Sequence, residues 1–494
     1  MKNRTDIKEF ILGIEKNFQV NNWTVNGIHV WPFIRIRLFF YLIRILESQP
    51  QNDKKTDSAV VISKKSLFQN AIVKTKQFLA ALNYLKWHWL LPSKKYLFLG
   101  TDGHRVNFRG KRYNRYFDVF IDNNNLKSES LYFEYDKLPI DNQYNKSLLY
   151  KHHQPYVGFL HYQKRLGKKP NLDFQWDGFK PFHDFLKHNP ITQQFAESYT
   201  PSDLEKWAES FINKVDFFKK TLHKINPKKV LILCYYSDDV MALTVAANQL
   251  KIATIEMQHG PQTELHLAYS NWTTLPATGY DALPRNYWCW DSYSQSVLEK
   301  WISKTDCYST KVVGNPWVDF WKNNATPYPH SDYILYSLQP KPVTLAELFP
   351  PLLIDFIKQN PYKWFLRLHP RQLNEKLAIV KFLKEQNVLH LVTIEAATND
   401  PLPQLLANAR IHLTHFSGTT IEAALFNVYT VLLNELGVVS FPELLSKKQA
   451  VFLDPADSTF STNLKEVIEN TAMHNKKGVL EDCADEGIVR ALFL

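Results

Sequence analysis

Lys363-Trp364-Phe365-Leu366-Arg367-Leu368-His369-Pro370-Arg371 reads as a buried strand stopped by cations. Trp364 to Leu366 suits a strand covered on both faces. Alternation sets Arg367 and His369 opposite Leu368, and Pro370 starts the turn into the next helix. Farther along, Ile411-His412-Leu413 runs into Thr414-His415-Phe416-Ser417-Gly418-Thr419-Thr420-Ile421-Glu422, where a strand hands over to a helix through small hydroxyl residues. Cations, hydroxyls and a helix amino terminus at strand ends make a receptor for a nucleotide's phosphates.

Outward from these stretches, strands and helices alternate. Downstream of Ser331, strands are expected at Tyr333 to Leu338, Trp364 to Leu368, Val388 to Ile394, Ile411 to Thr414, Thr430 to Leu433 and Val451 to Leu453, with helices between them. Upstream, Tyr96 to Gly100, Val230 to Tyr235, Ala253 to Met257 and Lys311 to Gly314 read as strands, and Val119 to Ile121 and Leu131 to Phe133 as weaker ones. Such alternation argues for doubly wound parallel sheets. Before Tyr96 no strand signal appears. Ile7 to Asn17, Ile28 to Ser48 and Ser66 to Leu91 read as helices, with a polar connection from Asn52 to Lys65. The polar, Pro-containing stretch from Asn323 to Ser331 divides the chain. The expectation is an α/β protein with a helical region over 1–92, an acceptor-side Rossmann-like domain over 93–322 and a donor-binding Rossmann-like domain over 332–494, the two domains facing across a cleft.

The 494 residues, 45% hydrophobic and 22% charged, are those of a folded chain too long for one core. The net charge of +11 and 14% aromatic content suit polyanions, membrane surfaces or sugar phosphates alike. No recognition helix, nucleotide-stacking motif or concentrated basic stripe supports nucleic-acid binding. A polyanion-binding protein is the non-enzyme alternative. Cys234, Cys289, Cys307 and Cys483 are scattered, so the spacing supports neither a disulfide framework nor a metal site. The polar amino terminus does not read as a signal peptide. The longest apolar stretch, Phe33 to Leu46, carries Arg35, Arg37 and Arg44 and falls short of the ~20 residues a membrane span needs. It reads either as a packing helix or as a helix lying in a membrane interface. A cytoplasmic protein is expected, with peripheral association at the inner membrane in the second case.

Candidate site residues fall at strand ends. Arg367, His369, Arg371, Ser417, Gly418, Thr419 and Thr420 would hold donor phosphate, with Glu422 one helical turn in for ribose hydroxyls. Thr419 to Glu422 is also a capping box. Gly418 would let the backbone approach the ligand. Met257-Gln258-His259-Gly260-Pro261 ends a strand and brings Gln258 and His259 to the cleft edge, His259 as a catalytic candidate and Gln258 for the acceptor. Asp238 and Asp239 follow another strand, where either could be a general base and both suit the start of a helix. His104, Arg105 and Arg109 lie in a basic loop that would receive an anionic acceptor.

These motifs resemble the GT-B glycosyltransferases of bacterial surface-polysaccharide synthesis, capsule and lipopolysaccharide. The likeness is greatest to the sialyltransferase, Kdo-transferase and polyol-phosphate-transferase group. There a His-Pro pair, here His369-Pro370, and a Ser/Thr pair, here within Ser417 to Thr420, bind the phosphate of a cytidine nucleotide donor. Gln258-His259-Gly260 and Gly314-Asn315-Pro316-Trp317 are similar to segments of the same enzymes. Where the sialyltransferases place an acidic-acidic-Gly motif, this chain has Val240 after Asp238 and Asp239. The resemblance implies a glycosyltransferase without metal or cofactor. It would move a sugar from a nucleotide-activated, CMP-linked donor to a surface glycan or lipid-linked precursor. Alternatives are a polyol-phosphate transferase using a CDP-polyol and a nucleotide-sugar 2-epimerase.

Overall fold

Apolar runs of four or five residues between helices can be satisfied only as strands buried on both faces, and here they build two parallel sheets. The computed structural model describes residues 3–47, 67–134, 142–324, 328–340 and 343–474; the connection over 52–65 and Cys483 lie outside them. The chain divides into two units. The first comprises Met1–Arg105, Arg109–His259 and Leu265–Val312, and the second comprises Val106–Phe108, Gly260–Glu264 and Val313–Leu494. The amino-terminal helices thus belong to the first unit, and the chain passes to the second ahead of the polar stretch 323–331.

The first unit's main sheet has seven strands: β1 (Tyr96–Gly100), β2 (Ser130–Glu134), β3 (Leu149–Lys151), β4 (Lys229–Ile232), β5 (Ala253–Met257), β6 (Asn286–Cys289) and β7 (Ser309–Val312). Their order is β7-β6-β5-β4-β1-β2-β3, and every pair is parallel. The chain winds outward from β1 through β2 and β3, then returns to the other side of β1 with β4. The switch point of this sheet therefore lies between β1 and β4.

The second unit's sheet has six: β8 (Tyr333–Ser337), β9 (Lys363–Arg367), β10 (Val392–Thr393), β11 (Ala409–Thr414), β12 (Thr430–Leu432) and β13 (Ala450–Phe452). The order β10-β9-β8-β11-β12-β13, again all parallel, puts its switch point between β8 and β11. Such points leave a crevice at the carboxyl ends of the strands, where doubly wound proteins take their ligands.

Three local expectations are corrected: of the strand expected over Val388 to Ile394 only Val392–Thr393 forms, Leu389–Leu391 being a 3-10 turn, and two further cases lie in the first unit. Trp23–Val25 and Ile28–His29 form strands, and Trp23–Val25 lies between Ile28–His29 and Phe174–Trp176 in a small antiparallel sheet, although their neighbourhood reads as helical. Asn26 (φ +49°) and Gly27 (φ +75°) supply the left-handed turn between the first two, the signature of a tight hairpin. Val119 to Ile121 lies in a helix, Phe117–Asn123, because the Asn114 side chain accepts from the backbone N–H of Tyr116 and Phe117 and starts a turn there.

The helices α1 (Arg4–Asn17) and α2 (Trp31–Glu47) pack as core. Phe33, Ile34, Ile36, Leu38, Phe39 and Leu42 are all buried. Arg35, expected to meet lipid phosphate in the interfacial reading, is fully buried and ion-paired with Glu15. Its guanidinium also donates to the carbonyls of Ser270 and Asn271 and stacks 4.0 Å over Trp272. The packing reading of this helix is the one realised. No helix among the described residues is long and apolar enough to cross a membrane.

Candidate functional site

In the second unit, β8 ends at Ser337 and leads into Leu338 and Gln339, and β11 ends at Thr414 and leads into His415. Thr414 Oγ1 donates 2.9 Å to the Ser337 carbonyl and so fastens the two strand ends at the switch point. Gln339 is held by Gln372, which donates to its carbonyl at 2.5 Å and accepts from His369 N at 3.0 Å. The hydroxyl loop follows directly. Ser417 Oγ donates to Thr419 Oγ1 at 3.1 Å and accepts from Thr419 N at 3.3 Å, after which the helix α3 (Thr419–Leu425) begins. Its N-cap is Gly418, so the expected capping box between Thr419 and Glu422 is not formed. Glu422 stands in the first turn of this short helix. Gly418 owes its identity to packing: a Cβ there would lie 2.9 Å from Pro261 Cγ.

The cations are distributed differently from the expectation. Arg367 donates from one Nη to the carbonyls of Ala397 (2.7 Å) and Asp400 (2.8 Å), tying down the end of a neighbouring helix. His369 is neutral at physiological pH. Burial, aided by the charge of Arg371, lowers its pKa to about 4, and its Nδ1 accepts from Arg371 N at 3.1 Å. With Nδ1 accepting, the ring proton sits on Nε2, a donor rather than a charge. Arg371 is exposed.

Two polar atoms at this switch point are buried with no hydrogen-bond partner: Nδ1 of His415 and Oγ1 of Thr420. His415 is 2% exposed and Thr420 0%. Burial lowers the pKa of His415 to about 4, and its Nε2 pairs with the Tyr336 hydroxyl at 3.1 Å. An orphaned buried donor or acceptor costs about 1–3 kcal/mol, and such costs concentrate where a ligand completes the set. His415 escaped the sequence reading although it sits inside the quoted loop.

In the first unit the switch point gathers residues from three adjacent strand ends. His104 follows β1, Cys234 follows β4 and His259 follows β5. Cys234 Sγ lies 2.9 Å from His259 Nε2 and 3.4 Å from His104 Nε2. Cys234 has φ +54°, a left-handed conformation that costs a non-glycine residue of order 1–3 kcal/mol. Behind His259, its Nδ1 faces Glu256 Oε1 at 3.5 Å, and the Tyr269 hydroxyl donates to the same oxygen at 2.8 Å. Burial alone would lower the pKa of His259, but the Cys234 sulfur and the Glu256 carboxylate outweigh it and raise it to about 10. Burial, with the charges of His259 and Arg115, holds His104 well below its ordinary value.

By spacing, Cys234 reads only as one of four scattered cysteines with no metal site, and Glu256 is not among the expected site residues. An acid inside the apolar strand Ala253–Met257 was the available signal for Glu256. Nothing local marks Cys234, which lies in an apolar run.

The other named residues are engaged in structure. Gln258 is buried, donates to Ser294 Oγ at 3.0 Å and accepts from Trp290 N at 2.7 Å. Arg105 is 5% exposed and spans Glu134 (2.6 Å) and Asp118 (3.4 Å) over the Tyr132 ring. Arg109 is exposed, in a turn at φ +50°. Asp238 and Asp239 open the helix α4 (Asp238–Gln249), capped by Ser237. Asp238 pairs with Arg37 and accepts from Trp207 Nε1 at 3.3 Å. Asp239 pairs with Lys214 and accepts from His152 Nε2 at 3.0 Å. Burial would raise the pKa of Asp239, but these partners bring it to about 2, so it is a weak base at neutral pH. It lines a cavity of about 130 Å³ with His152, Tyr156 and Phe217.

No family model matches the chain, and no curated protein matches it. Among solved structures it is similar to the UDP-GlcNAc 2-epimerase of Methanocaldococcus jannaschii, at 14% identity over 81% of this chain and 99% of that one, with a TM-score of 0.45. The Neisseria meningitidis UDP-GlcNAc 2-epimerase, bound to UDP-GlcNAc, matches at 12% identity over 81% and 98%, TM-score 0.45. That of Rickettsia bellii matches at 15% over 82% and 95%, TM-score 0.44. Likeness at this level carries no activity across.

Proposed function

We propose that this chain is an enzyme of nucleotide-activated sugars. The nucleotide phosphate is held at the switch point of the second unit, and the sugar is moved to a glycan or lipid-linked acceptor. The observation that carries the reading is the pair of orphaned buried atoms, His415 Nδ1 and Thr420 Oγ1, flanking the Ser417 to Thr420 loop in the β8/β11 crevice. The Thr420 hydroxyl can donate to a phosphate oxygen, whereas His415 Nδ1 is an acceptor suited to a ribose or sugar hydroxyl, because its Nε2 donates to the Tyr336 hydroxyl, whose own proton goes to the Leu348 carbonyl. His369, neutral and donating from Nε2, adds a second donor beside the Thr420 hydroxyl, on the neighbouring strand. A site of neutral donors binds nucleotide phosphate through directed hydrogen bonds rather than through a cluster of charge.

A second reaction of the same substrate class is epimerisation at C2 of the sugar. The specific observation in its favour is the buried carboxylate Glu256 beside His259 Nδ1 in the first unit, a pair able to take up and return a proton.

The test begins with CMP, CDP, UDP and GDP in thermal melts. A nucleotide at about a hundred times its Kd adds about 2.7 kcal/mol, and cytidine nucleotides are expected to give the largest shift. Ser417→Ala with Thr419→Ala should remove the shift while the unliganded Tm stays within a few degrees. A chain that no nucleotide stabilises overturns the reading. Incubation with the nucleotide sugar in D2O then separates the reactions. Acceptor-dependent nucleotide release marks transfer, and deuterium entering C2 marks the epimerase.

A further inference from the structure

We propose that His104, Cys234 and His259 form a binding site for a divalent transition-metal ion of the zinc class. The three donor atoms lie within 4.8 Å of one another. The two sulfur–nitrogen separations, 2.9 and 3.4 Å, compare with the roughly 3.5 Å between donors of a tetrahedral zinc site whose Zn–S and Zn–N bonds are about 2.3 and 2.0–2.1 Å. Accommodating the ion needs Cys234 Sγ and His259 Nε2 to part by roughly 0.6 Å, while the Cys234–His104 separation already fits.

Three further features fit a metal rather than a hydrogen-bonded trio. The donor set of one sulfur and two imidazoles selects zinc-like ions over magnesium or calcium. His259 is backed at Nδ1 by the buried Glu256, itself held by Tyr269; this carboxylate–histidine arrangement orients metal-bound imidazoles. Each ligand also comes from a different, adjacent parallel strand end, so the sheet fixes their spacing, and the left-handed Cys234 turns its sulfur out of the β4 run toward the two rings.

All three ligands remain partly accessible to solvent, which gives an ion a way in. Three protein ligands leave a fourth position for water or for a substrate oxygen. The Tyr236 hydroxyl, 3.3 Å from His259 Nε2, stands beside the cluster. The site is therefore built as an open one, able to polarise an oxygen bound there. This inference is independent of the nucleotide reading for the second unit.

The experiment uses the untagged full chain, stripped with chelator and dialysed against zinc salt alone, with cobalt(II) as a spectroscopic substitute. Stoichiometric zinc binding is expected, together with a thiolate-to-cobalt charge-transfer absorption. Cys234→Ser and His104→Ala should each weaken binding at least a hundredfold, and Glu256→Gln by about 10–100-fold. Cys307→Ser should leave it unchanged. Should a variant fail to fold, the wild type still decides: zinc should protect Cys234 from iodoacetamide, as mapped by peptide mass spectrometry. Zinc binding that survives Cys234→Ser, or alkylation of Cys234 that zinc does not slow, overturns the proposal. Fast alkylation indifferent to zinc would mark a thiol–imidazole nucleophile instead.

Discussion

The two switch-point crevices share a topology and differ in chemistry. In the first unit, the carboxyl ends of β1, β4 and β5 carry a sulfur, two histidines and a buried glutamate, next to the buried Arg105–Glu134–Asp118 cluster. In the second unit, the ends of β8, β9 and β11 carry hydroxyls, an amide and imidazoles that burial keeps neutral. Parallel winding chooses where a ligand goes; the side chains at that place choose which ligand. A charged crevice must compensate its charges internally, because buried ions without partners are costly. A neutral crevice must instead satisfy directed hydrogen bonds by shape.

The largest test of that contrast is Arg105→Met. It strands Glu134 and Asp118, so chemical denaturation should show a loss of about 3–5 kcal/mol. Adding Glu134→Gln should recover part of the loss. A loss below about 1 kcal/mol would mean that charge compensation does not hold the first crevice together.

Shape is the counterpart in the second unit. Gly418→Ala drives a Cβ against Pro261 and should cost about 1–3 kcal/mol by overpacking. Gly260→Ala, with open space around its Cβ position, serves as the near-neutral control. Equal costs for the two would remove the packing account of the loop.

Acid denaturation sharpens the charged side. The carboxyl of Asp239 is depressed from 3.8 to about 2 by His152 and Lys214 against the opposing effect of burial. Its contribution is therefore complete above the unfolded value and disappears as pH falls from about 4 through about 2. At about 1.4 kcal/mol per pKa unit this amounts to about 2 kcal/mol. Asp239→Asn should flatten the stability–pH curve in that window and leave the slope at higher pH unchanged.

The smallest expected effect separates function from stability in the second crevice. Thr420→Val removes an orphaned buried hydroxyl, so the unliganded protein should be as stable or slightly more stable. Nucleotide affinity should fall about tenfold, or ~1.4 kcal/mol. Lost stability together with unchanged affinity would assign Thr420 to the core.

By itself the sequence determined the parallel α/β class and most strands of both sheets, because an apolar run bounded by helical periodicity has no other way to bury itself. Tyr333–Ser337, Lys363–Arg367 and Ala409–Thr414 lie where the pattern puts them. It also determined that the hydroxyl loop leads from a strand into a helix. It failed at Val119 to Ile121, where a turn held by the Asn114 side chain leads a short apolar run into a helix, and at Trp23–Val25, whose pairing partner lies far along the chain at Phe174–Trp176. Tertiary structure alone decided that Arg35 and Arg105 are buried ion-pair members rather than surface cations, since a partner distant in sequence leaves no local trace. It alone decided that Gly418 serves Pro261 and that His369 is uncharged, because packing volume and desolvation are properties of the folded surroundings. The cluster of His104, Cys234 and His259 is the clearest case. No spacing rule joins residues on three different strand ends, and only the parallel order β5-β4-β1 brings them within bonding reach of one ion.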